Sequence, residues 1–393
     1  LWLIDKYFVQ VWSDLGLSRE KFIEIAKIKQ SWGGDAFSMP ILALRLSEYR
    51  NGVSELHGQV AREMWHFLWL DKKVQDVPIR HITNGIHTQT WLARRLGVLF
   101  SRYLGSDWSD RIDDPNLWEQ IENIPDEEIW LVKRHLKRKL VAYIISRARD
   151  QWKTTKVHPV QTVASGVLLD PYALTIGFAR RFATYKRGNL IFRDFDRLLK
   201  IVNNERMPVQ FIFSGKAHPA DEPGKQMIQE VYRAVKDARF GGRLVFLDDY
   251  DMNIARYMVQ GVDVWLNTPR RPREASGTSG MKAALNGVLN FSVLDGWWRE
   301  GYNGHNGWAI GEDVNQEMNV QEQDEVDALS LYDTLEKEII PLYYEQRSAD
   351  NLPAEWIARI KESIRTIGGQ FSMRRMVEEY MDNFYYPAIL HGI

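Results

Sequence analysis

The chain has 393 residues, enough for two domains, because single hydrophobic cores stop growing at roughly 250 to 300 residues. It carries 51 Lys and Arg against 52 Asp and Glu, so no overall charge points to nucleic acid or a membrane surface as a partner. The absence of cysteine excludes disulfides, thiolate metal sites and a cysteine nucleophile, and it fits a cytoplasmic location. Any anion site must therefore be local.

The first part of the chain is predicted to be mainly helical. Residues 1–12 mix charged side chains into an apolar stretch, so they predict neither a signal peptide nor a membrane span, and we expect them to be the interior of a longer chain. From Ser18 to about Leu70 apolar residues recur at the three- and four-residue spacing of a helix. A loop punctuated by Pro78 and Gly85 follows, and we place a domain boundary there.

Further helices are predicted between Trp91 and Ala148. One of them contains a very basic stretch, from Lys133 to Lys139. A run of like charges rarely marks a site by itself, so we interpret this stretch as a solvent-facing surface of a helix.

After Asp170 short apolar runs alternate with amphipathic stretches. The apolar runs predict strands at residues 174–178, 209–213, 244–247, 262–266 and 288–293. Helices are predicted from Lys186, from about Gly224, from Met252 and near Lys282, and again from about Val326 to the end. Continuous apolar strands separated by helices predict an α/β fold with a parallel sheet covered on both faces. Ligands of such sheets bind at the carboxyl ends of the strands.

The first predicted strand is followed by a basic segment. Its four cations are Arg180, Arg181, Lys186 and Arg187. A strand-to-helix junction adds free N–H groups and partial positive charge, so this segment is a candidate phosphate site. The alternative is that these side chains are surface cations that promote solubility.

Two other junctions carry weaker signals. Gly215 and Lys216 repeat the pattern of glycine and cation where a strand ends. The acidic residues between Asp248 and Asp251 are interpreted as helix caps.

The fourth junction, from Glu274 to Lys282, is the most informative. Its glycines let the backbone approach an anion, and its Ser and Thr hydroxyls and helix-start N–H groups are donors, so it predicts a phosphate cradle. Lys282, one helical turn inside, could be a charge clamp or a Schiff-base amine. The order Gly-Lys-Ser/Thr of a P-loop is missing, and no motif predicts a metal site.

The same segment resembles the pyridoxal-phosphate signature of the glycogen and starch phosphorylases. The matching segments are Glu274–Thr278, Gly280–Lys282 and Leu285–Gly287. Further segments along the chain support the resemblance: Asn51–Ser54 with His57, Thr83–Ile86, Arg181 with Tyr185–Arg187, Gly215–Ala217 and Asp249–Tyr250. Segments such as His87–Trp91 and Leu294–Trp298 resemble the short bacterial and archaeal α-glucan phosphorylases.

The resemblance implies a GT-B-like fold, with a Rossmann-type parallel sheet, flanking helices and a helical remnant of the N-terminal domain. Residues 1–82 would be that remnant, and residues 83–370 the Rossmann-like domain that binds pyridoxal phosphate. Residues 371–393 would form a C-terminal helix that packs back on the N-terminal part. A homodimer or a higher homo-oligomer is expected.

The implied reaction transfers a glucosyl unit from an α-1,4-glucan to inorganic phosphate, giving glucose 1-phosphate with retained configuration. In the family, pyridoxal 5′-phosphate is anchored at the position of Lys282, and its phosphate is a proton relay. The resemblance gives four sets of residues. Substrate phosphate would be held by Arg181 and Lys186; cofactor phosphate by Arg180, Gly277, Thr278 and Ser279; the cofactor ring would lie near Tyr250 and Trp91; glucosyl hydroxyls would be bound by Asn84, Tyr185, Glu274 and Ser276.

Two departures from the family pattern matter. The N-terminal half of family members supplies a Gly-rich loop and a histidine that this sequence does not match, so we expect the chain to be inactive alone. Asp251 stands where larger members have a cation directed at phosphate. The alternatives are a GT-B nucleotide-sugar glucosyltransferase of glycogen-synthase type and a non-catalytic glucan-binding module.

Overall fold

The computed structural model describes residues 1–29, 33–154, 168–312 and 319–390, with backbone only for residues 150–154. The chain divides into two compact units. The first comprises Leu1–Gly52 and Ala61–His81, and the second comprises Val53–Val60 and Ile82–Ile393. The predicted domain limits at residues 82 and 370 stay predictions.

The first unit is a small mixed structure. Its helices are α1 (Trp2–Asp14), α2 (Arg19–Ile25), α3 (Met39–Leu46) and the later residues of α4 (Glu55–Trp65), and its strands are β1 (Lys27–Lys29), β2 (Asp35–Phe37), β3 (Asn51–Gly52) and β4 (Arg80–His81). Phe22, fully buried, packs against Phe8, Trp12 and Phe37. The helical prediction is wrong for residues 27–37, where β1 and β2 form an antiparallel pair. Gly33 and Gly34, directly before β2, have left-handed conformations, which break a helix.

The second unit is built on a parallel sheet of six strands. They are β5 (Leu174–Ala179), β6 (Val209–Ser214), β7 (Leu244–Leu247), β8 (Val264–Asn267), β9 (Leu289–Val293) and β10 (Gly307–Ile310), in the order β10-β9-β8-β5-β6-β7. The five predicted strands and the α/β class are confirmed. The edge strand β10 was not predicted, because only four residues beginning with Gly307 form it. Successive connections run in opposite directions from β5 and β8, which makes their carboxyl ends the expected ligand crevice.

Helices cover this sheet. They are α5 (Thr88–Trp91), α6 (Arg94–Tyr103), α7 (Pro115–Glu119), α8 (Asp126–Thr154), α9 (Phe195–Val202), α10 (Glu222–Val235), α11 (Met252–Gly261), α12 (Ser279–Leu285), α13 (Trp298–Gly301), α14 (Val320–Thr334), α15 (Ile340–Tyr344), α16 (Ala354–Ile367), α17 (Met373–Tyr380) and α18 (Tyr386–Leu390). No helix within the described ranges is both long and apolar enough to cross a membrane.

The helix predicted from Lys186 is wrong. Residues Thr184–Lys186 form a single 3-10 turn that ends where Arg187 takes a left-handed conformation, with φ of 45°. The next α-helix, α9, begins only after Asp194, whose side chain accepts the N–H of Arg197. The basic segment after β5 is therefore a loop.

The basic stretch on α8 also departs from its prediction. Lys133 and Lys137 are buried, with 3% and 2% exposure, while Arg138 and Lys139 are exposed as expected. Lys133 and Lys137 are four residues apart, so they lie on the same face of α8, and this face packs against α11. The Lys137 ammonium donates to Asp263 at 2.5 Å, which compensates for its burial.

The C-terminal segment pairs with the chain next to the predicted site. Ile86 and Ser372 form a parallel bridge, in which the Met373 N–H donates to the Ile86 carbonyl at 2.8 Å. Arg375 donates to the carbonyls of Thr83 and Asn84. Packing of residues 371–393 on the N-terminal part stays a prediction, and residues 391–393 lie outside the described ranges.

Candidate active site

The loops that follow β5, β8 and β9 meet at the carboxyl edge of the sheet. Arg180, directly after β5, donates to the side chain of Asn267, the last residue of β8, at 3.3 Å. It also forms an ion pair with Glu274 on the loop after β8. Lys186 joins the same carboxylate, with its ammonium 3.2 Å from Oε2 and 3.3 Å from Oε1. A carboxylate thus lies between two cations.

This cluster is largely shielded from water. The side chains of Arg180, Glu274 and Lys186 are 7%, 10% and 11% exposed. Burial lowers the pKa of Lys186 to about 8, and the positive charge of Arg180 is the second cause of this shift. Arg180 and Lys186 repel each other, and a bound anion would reduce this repulsion. Opposite charges interact strongly where water is excluded.

The loop that carries Glu274 is held by a buried carboxyl group that sequence reasoning missed. Asp295, two residues after β9, accepts the N–H of Glu274 at 2.9 Å and the N–H of Gly296 at 2.8 Å. Burial raises the pKa of Asp295 to about 7. Ser54 adds a hydrogen bond to the carbonyl of Ala275 at 2.7 Å. The position of Asp295 at a strand end was a signal that could have pointed to it.

The segment from Ser276 to Ser279 contains the features predicted for an anion cradle. Gly277 has φ of 84°, a conformation that a side chain disfavours, and it directly precedes Thr278, the N-cap of α12. The Ser279 hydroxyl accepts the indole N–H of Trp265 at 3.2 Å. The buried hydroxyl of Ser276 and the Nε of Arg180 have no hydrogen-bond partner among the described residues. Such orphaned polar atoms are expected where a polar ligand binds.

Lys282 lies on α12, with its ammonium 3.8 Å from the ring centroid of Trp91. Burial lowers the pKa of Lys282. No hydrogen bond or ion pair joins this ammonium to another described residue. An amine that is half-buried and unpaired is suited to covalent chemistry, since a lowered pKa increases the uncharged, nucleophilic fraction.

The remaining predicted site residues make fewer contacts. The Lys186 ammonium lies 5.0 Å from the centroid of the Tyr185 ring. Burial raises the pKa of Tyr185. Burial likewise raises the pKa of Tyr250, and the charge of Arg180 opposes that shift. Arg181 is exposed. Asn84 donates its backbone N–H to the carbonyl of Val53 at 3.0 Å.

Two charged residues near the predicted site, Arg187 and Asp251, bond to helices α14 and α11. Arg187 is buried and points away from Glu274, to Asp324 and Asp327 on α14. Asp251 caps α11, since its carboxylate accepts the N–H of Ile254 at 2.8 Å, which confirms the capping interpretation for this residue.

Known proteins match nearly all of this chain. The family model described as carbohydrate phosphorylase matches residues 2–340. The chain is 46% identical over 384 residues to glycogen phosphorylase from Aquifex aeolicus, covering 98% of this chain and 54% of the relative. It is 47% identical over 379 residues to maltodextrin phosphorylase from Thermococcus litoralis, covering 96% of this chain and 43% of the relative. Glycogen phosphorylase from Mycobacterium tuberculosis is 40% identical over 352 residues, covering 90% and 40%.

The chain spans about half the length of the two relatives from Aquifex aeolicus and Thermococcus litoralis. The match runs through the whole sheet and all the loops described above, since residues 2–340 include β5 to β10 and α12. The chain therefore belongs to the carbohydrate phosphorylase family.

Proposed function

We propose that the protein of which this chain is part is an α-1,4-glucan phosphorylase that uses pyridoxal phosphate. The bond between C1 of the terminal glucosyl unit and O4 of the next sugar breaks, and a phosphate oxygen bonds to C1 with retained configuration. A proton passes to the departing O4, so the products are glucose 1-phosphate and a glucan shorter by one unit. The observation that carries the proposal is the half-buried, unpaired amine of Lys282 next to a basic cluster with orphaned polar atoms.

The residues present fit the cofactor. Lys282 would hold it covalently, Trp91 and Tyr250 would lie beside its ring, and its phosphate would bind Arg180 and the backbone N–H groups of the cradle, residues 277–279. When bound, pyridoxal phosphate supplies a phosphate group that exchanges a proton with the substrate phosphate. The left-handed Gly277 and the orphaned Nε of Arg180 support this assignment, because both suit close approach of an anion.

The chain's own cations would bind the substrate phosphate. Two phosphates side by side repel, and Arg181 and Lys186 would offset this repulsion. At ~4 Å and an effective dielectric constant near 20, each pair of unit charges contributes about 4 kcal/mol. Since the pKa of Lys186 is about 8, its ammonium is mostly charged at neutral pH, and phosphate affinity should decline as the pH rises above that value.

Four side chains would bind the glucosyl unit. Asn84, Tyr185, Glu274 and Ser276 would bond its hydroxyls. Glu274 is paired with Arg180 and Lys186 in this structure, so its carboxylate would turn toward sugar as phosphate takes over the two cations. The orphaned Ser276 hydroxyl would gain its partner from the sugar. A cytoplasmic location and a homo-oligomer belong to the same proposal.

The cofactor assignment is tested on the chain itself. The chain is incubated with pyridoxal phosphate and reduced with borohydride, and the modified lysine is located by peptide mass spectrometry. We expect a single adduct at Lys282, lost in Lys282→Ala and retained in Lys337→Ala, which removes an exposed lysine of 69% exposure as the matched control. Undiminished cofactor retention by Lys282→Ala would refute the assignment.

The reaction is tested on a hybrid that joins this chain to the part of the Aquifex aeolicus relative outside the matched region. We expect glucose 1-phosphate from maltodextrin and phosphate, and none from the chain alone. Glucosyl transfer from a nucleotide sugar without phosphate-dependent release would instead favour the synthase-type alternative. Glucan binding without either reaction would favour a non-catalytic module.

A further inference from the structure

Asn286, the residue that ends α12, is fully buried and bonds three backbone groups. Its Nδ2 donates to the carbonyl of Trp91 at 2.9 Å and to the carbonyl of Lys282 at 2.8 Å. Its Oδ1 accepts the N–H of Ala93 at 2.7 Å. Both donor hydrogens and the acceptor of this amide are therefore used. One side chain contacts the main chain of both Trp91 and Lys282.

Further hydrogen bonds close a ring around this contact. The Trp91 carbonyl also accepts from the side-chain amide of Gln260, at 3.1 Å. Lys133 donates to the main-chain carbonyls of Gln260 and Asn286, at 3.2 and 2.9 Å. The ammonium of Lys133 is buried, so water cannot readily replace these two carbonyls as its hydrogen-bond acceptors. The four residues thus hold one another in place.

The amine of Lys282 has no such restraint of its own. It makes no hydrogen bond to another described residue, and a lysine side chain has several freely rotating bonds. Trp91 is also weakly held by its own helix, because α5 has four residues and a single turn has little intrinsic stability. The 3.8 Å contact between indole and ammonium therefore depends on the relative position of the two backbones. Asn286 bonds the carbonyls of both residues.

We propose that Asn286 is a positioning residue that holds the Trp91 indole over the Lys282 amine and so controls access to it. The inference rests on the proposed function in one respect, that Lys282 is the residue that takes pyridoxal phosphate. Without the amide, the indole moves off the amine. Lys282 becomes more accessible to small reagents and less well placed for a planar ligand beside Trp91.

The test measures the amine directly in the cofactor-free chain. A trace of acetic anhydride labels the lysines, and mass spectrometry gives the labelling rate of Lys282 relative to the exposed Lys337. We expect Asn286→Ala to raise this ratio about fivefold or more, because a loosened supporting residue releases the group it positions. An unchanged ratio in folded Asn286→Ala protein would overturn the proposal.

Asn290→Ala is the matched control. Asn290 is equally buried and bonds the carbonyl of Gly280 on the same helix, but it does not reach Trp91. In Asn290→Ala the labelling ratio should stay within about twofold of the wild-type value, because Asn290 makes no hydrogen bond to Asn286, Trp91, Gln260 or Lys133 in the described structure. A rise as large as that of Asn286→Ala would mean that any loss of support for α12 suffices, and would also overturn the proposal.

Two further measurements address misfolding of Asn286→Ala and failure of the cofactor assignment. If Asn286→Ala does not fold by circular dichroism, Gln260→Ala removes the second amide bond to the Trp91 carbonyl and should raise the ratio in the same direction; no change would count against the proposal. Borohydride trapping of pyridoxal phosphate separates the two hypotheses. Wild-type protein that shows the expected labelling pattern but traps no cofactor at Lys282 would refute the proposed function and leave the positioning role supported.

Discussion

Arg180 and Arg187 lie seven residues apart on the same loop, and both are buried, but their surroundings differ. All three nitrogens of Arg187 donate to protein acceptors, the carbonyls of Thr268 and Pro269 and the carboxylates of Asp324 and Asp327. Arg180 shares the Glu274 carboxylate with Lys186, and its Nε has no partner among the described residues. A buried cation each of whose nitrogens donates to the protein stabilises the fold, whereas one with an unused nitrogen is available for a ligand.

The largest effect should come from Arg187→Ala. The change leaves Asp327 buried without its only ion-pair partner in the described structure, so we expect a loss of about 3–5 kcal/mol in the free energy of unfolding. Arg180→Ala should cost only about 1 kcal/mol, because Lys186 still neutralises Glu274. Urea unfolding of both variants measures the difference. Equal losses would show that the unused donor of Arg180 does not distinguish the two arginines.

The site should also have a characteristic pH dependence. The pKa of Asp295, raised to about 7 by burial, lies above its value in the unfolded chain. Between pH ~4 and ~7 the native state therefore holds a proton that the unfolded state has lost. The free energy of unfolding should fall as the pH rises through this window, by up to roughly 1.4 kcal/mol per pH unit.

Asp295→Asn should remove this contribution, and the exposed Asp350→Asn should keep it. Thermal or urea unfolding at a series of pH values measures the slopes. Identical slopes in wild type and Asp295→Asn would mean that the carboxyl group is already ionised in the native state throughout the window.

A smaller effect is expected from Glu274→Gln. The glutamine cannot neutralise Arg180 and Lys186, so both cations become available, and inorganic phosphate should bind about threefold to tenfold more tightly. Calorimetric titration of the chain with phosphate measures this change. Glu300→Gln, which alters a carboxylate bonded to the hydroxyl of Thr83 and the N–H of Glu55, should leave the affinity unchanged. Weaker binding to Glu274→Gln would show that the carboxylate orients the cations instead of competing for them.

Local patterns were enough to predict much of this fold. The apolar runs at 174–178 and 209–213 became β5 and β6, because strands buried on both faces need continuous apolar sequence. Placement of phosphate-binding residue types at strand ends followed from the same reasoning. The Arg180, Lys186 and Glu274 cluster could not be predicted as a set of ion pairs, since its members come from loops after two different strands.

Other features depend on tertiary packing alone. Lys133 and Lys137 look like part of a solvated basic stretch, but acceptors distant in sequence, such as Asp263 and the Asn286 carbonyl, allow their burial. The role of Asp295 likewise follows from a backbone N–H that another loop brings within 2.9 Å. Sequence periodicity reports which face of an element is apolar, and it contains no information on polar partners supplied by distant segments.

The smallest predicted effect concerns Asp251, a charged residue next to the site whose carboxylate is already used by the Ile254 N–H at the start of α11. Asparagine caps helices about as well as aspartate, so Asp251→Asn should change the free energy of unfolding by a few tenths of a kcal/mol at most, and Asp251→Ala should cost about 1 kcal/mol. Neither should alter phosphate affinity by more than about twofold, since the carboxylate serves the helix. If Asp251→Asn bound phosphate several-fold more tightly, the charge of Asp251 would be acting on the anion site, and satisfied hydrogen bonding would not be a sufficient sign of a structural role.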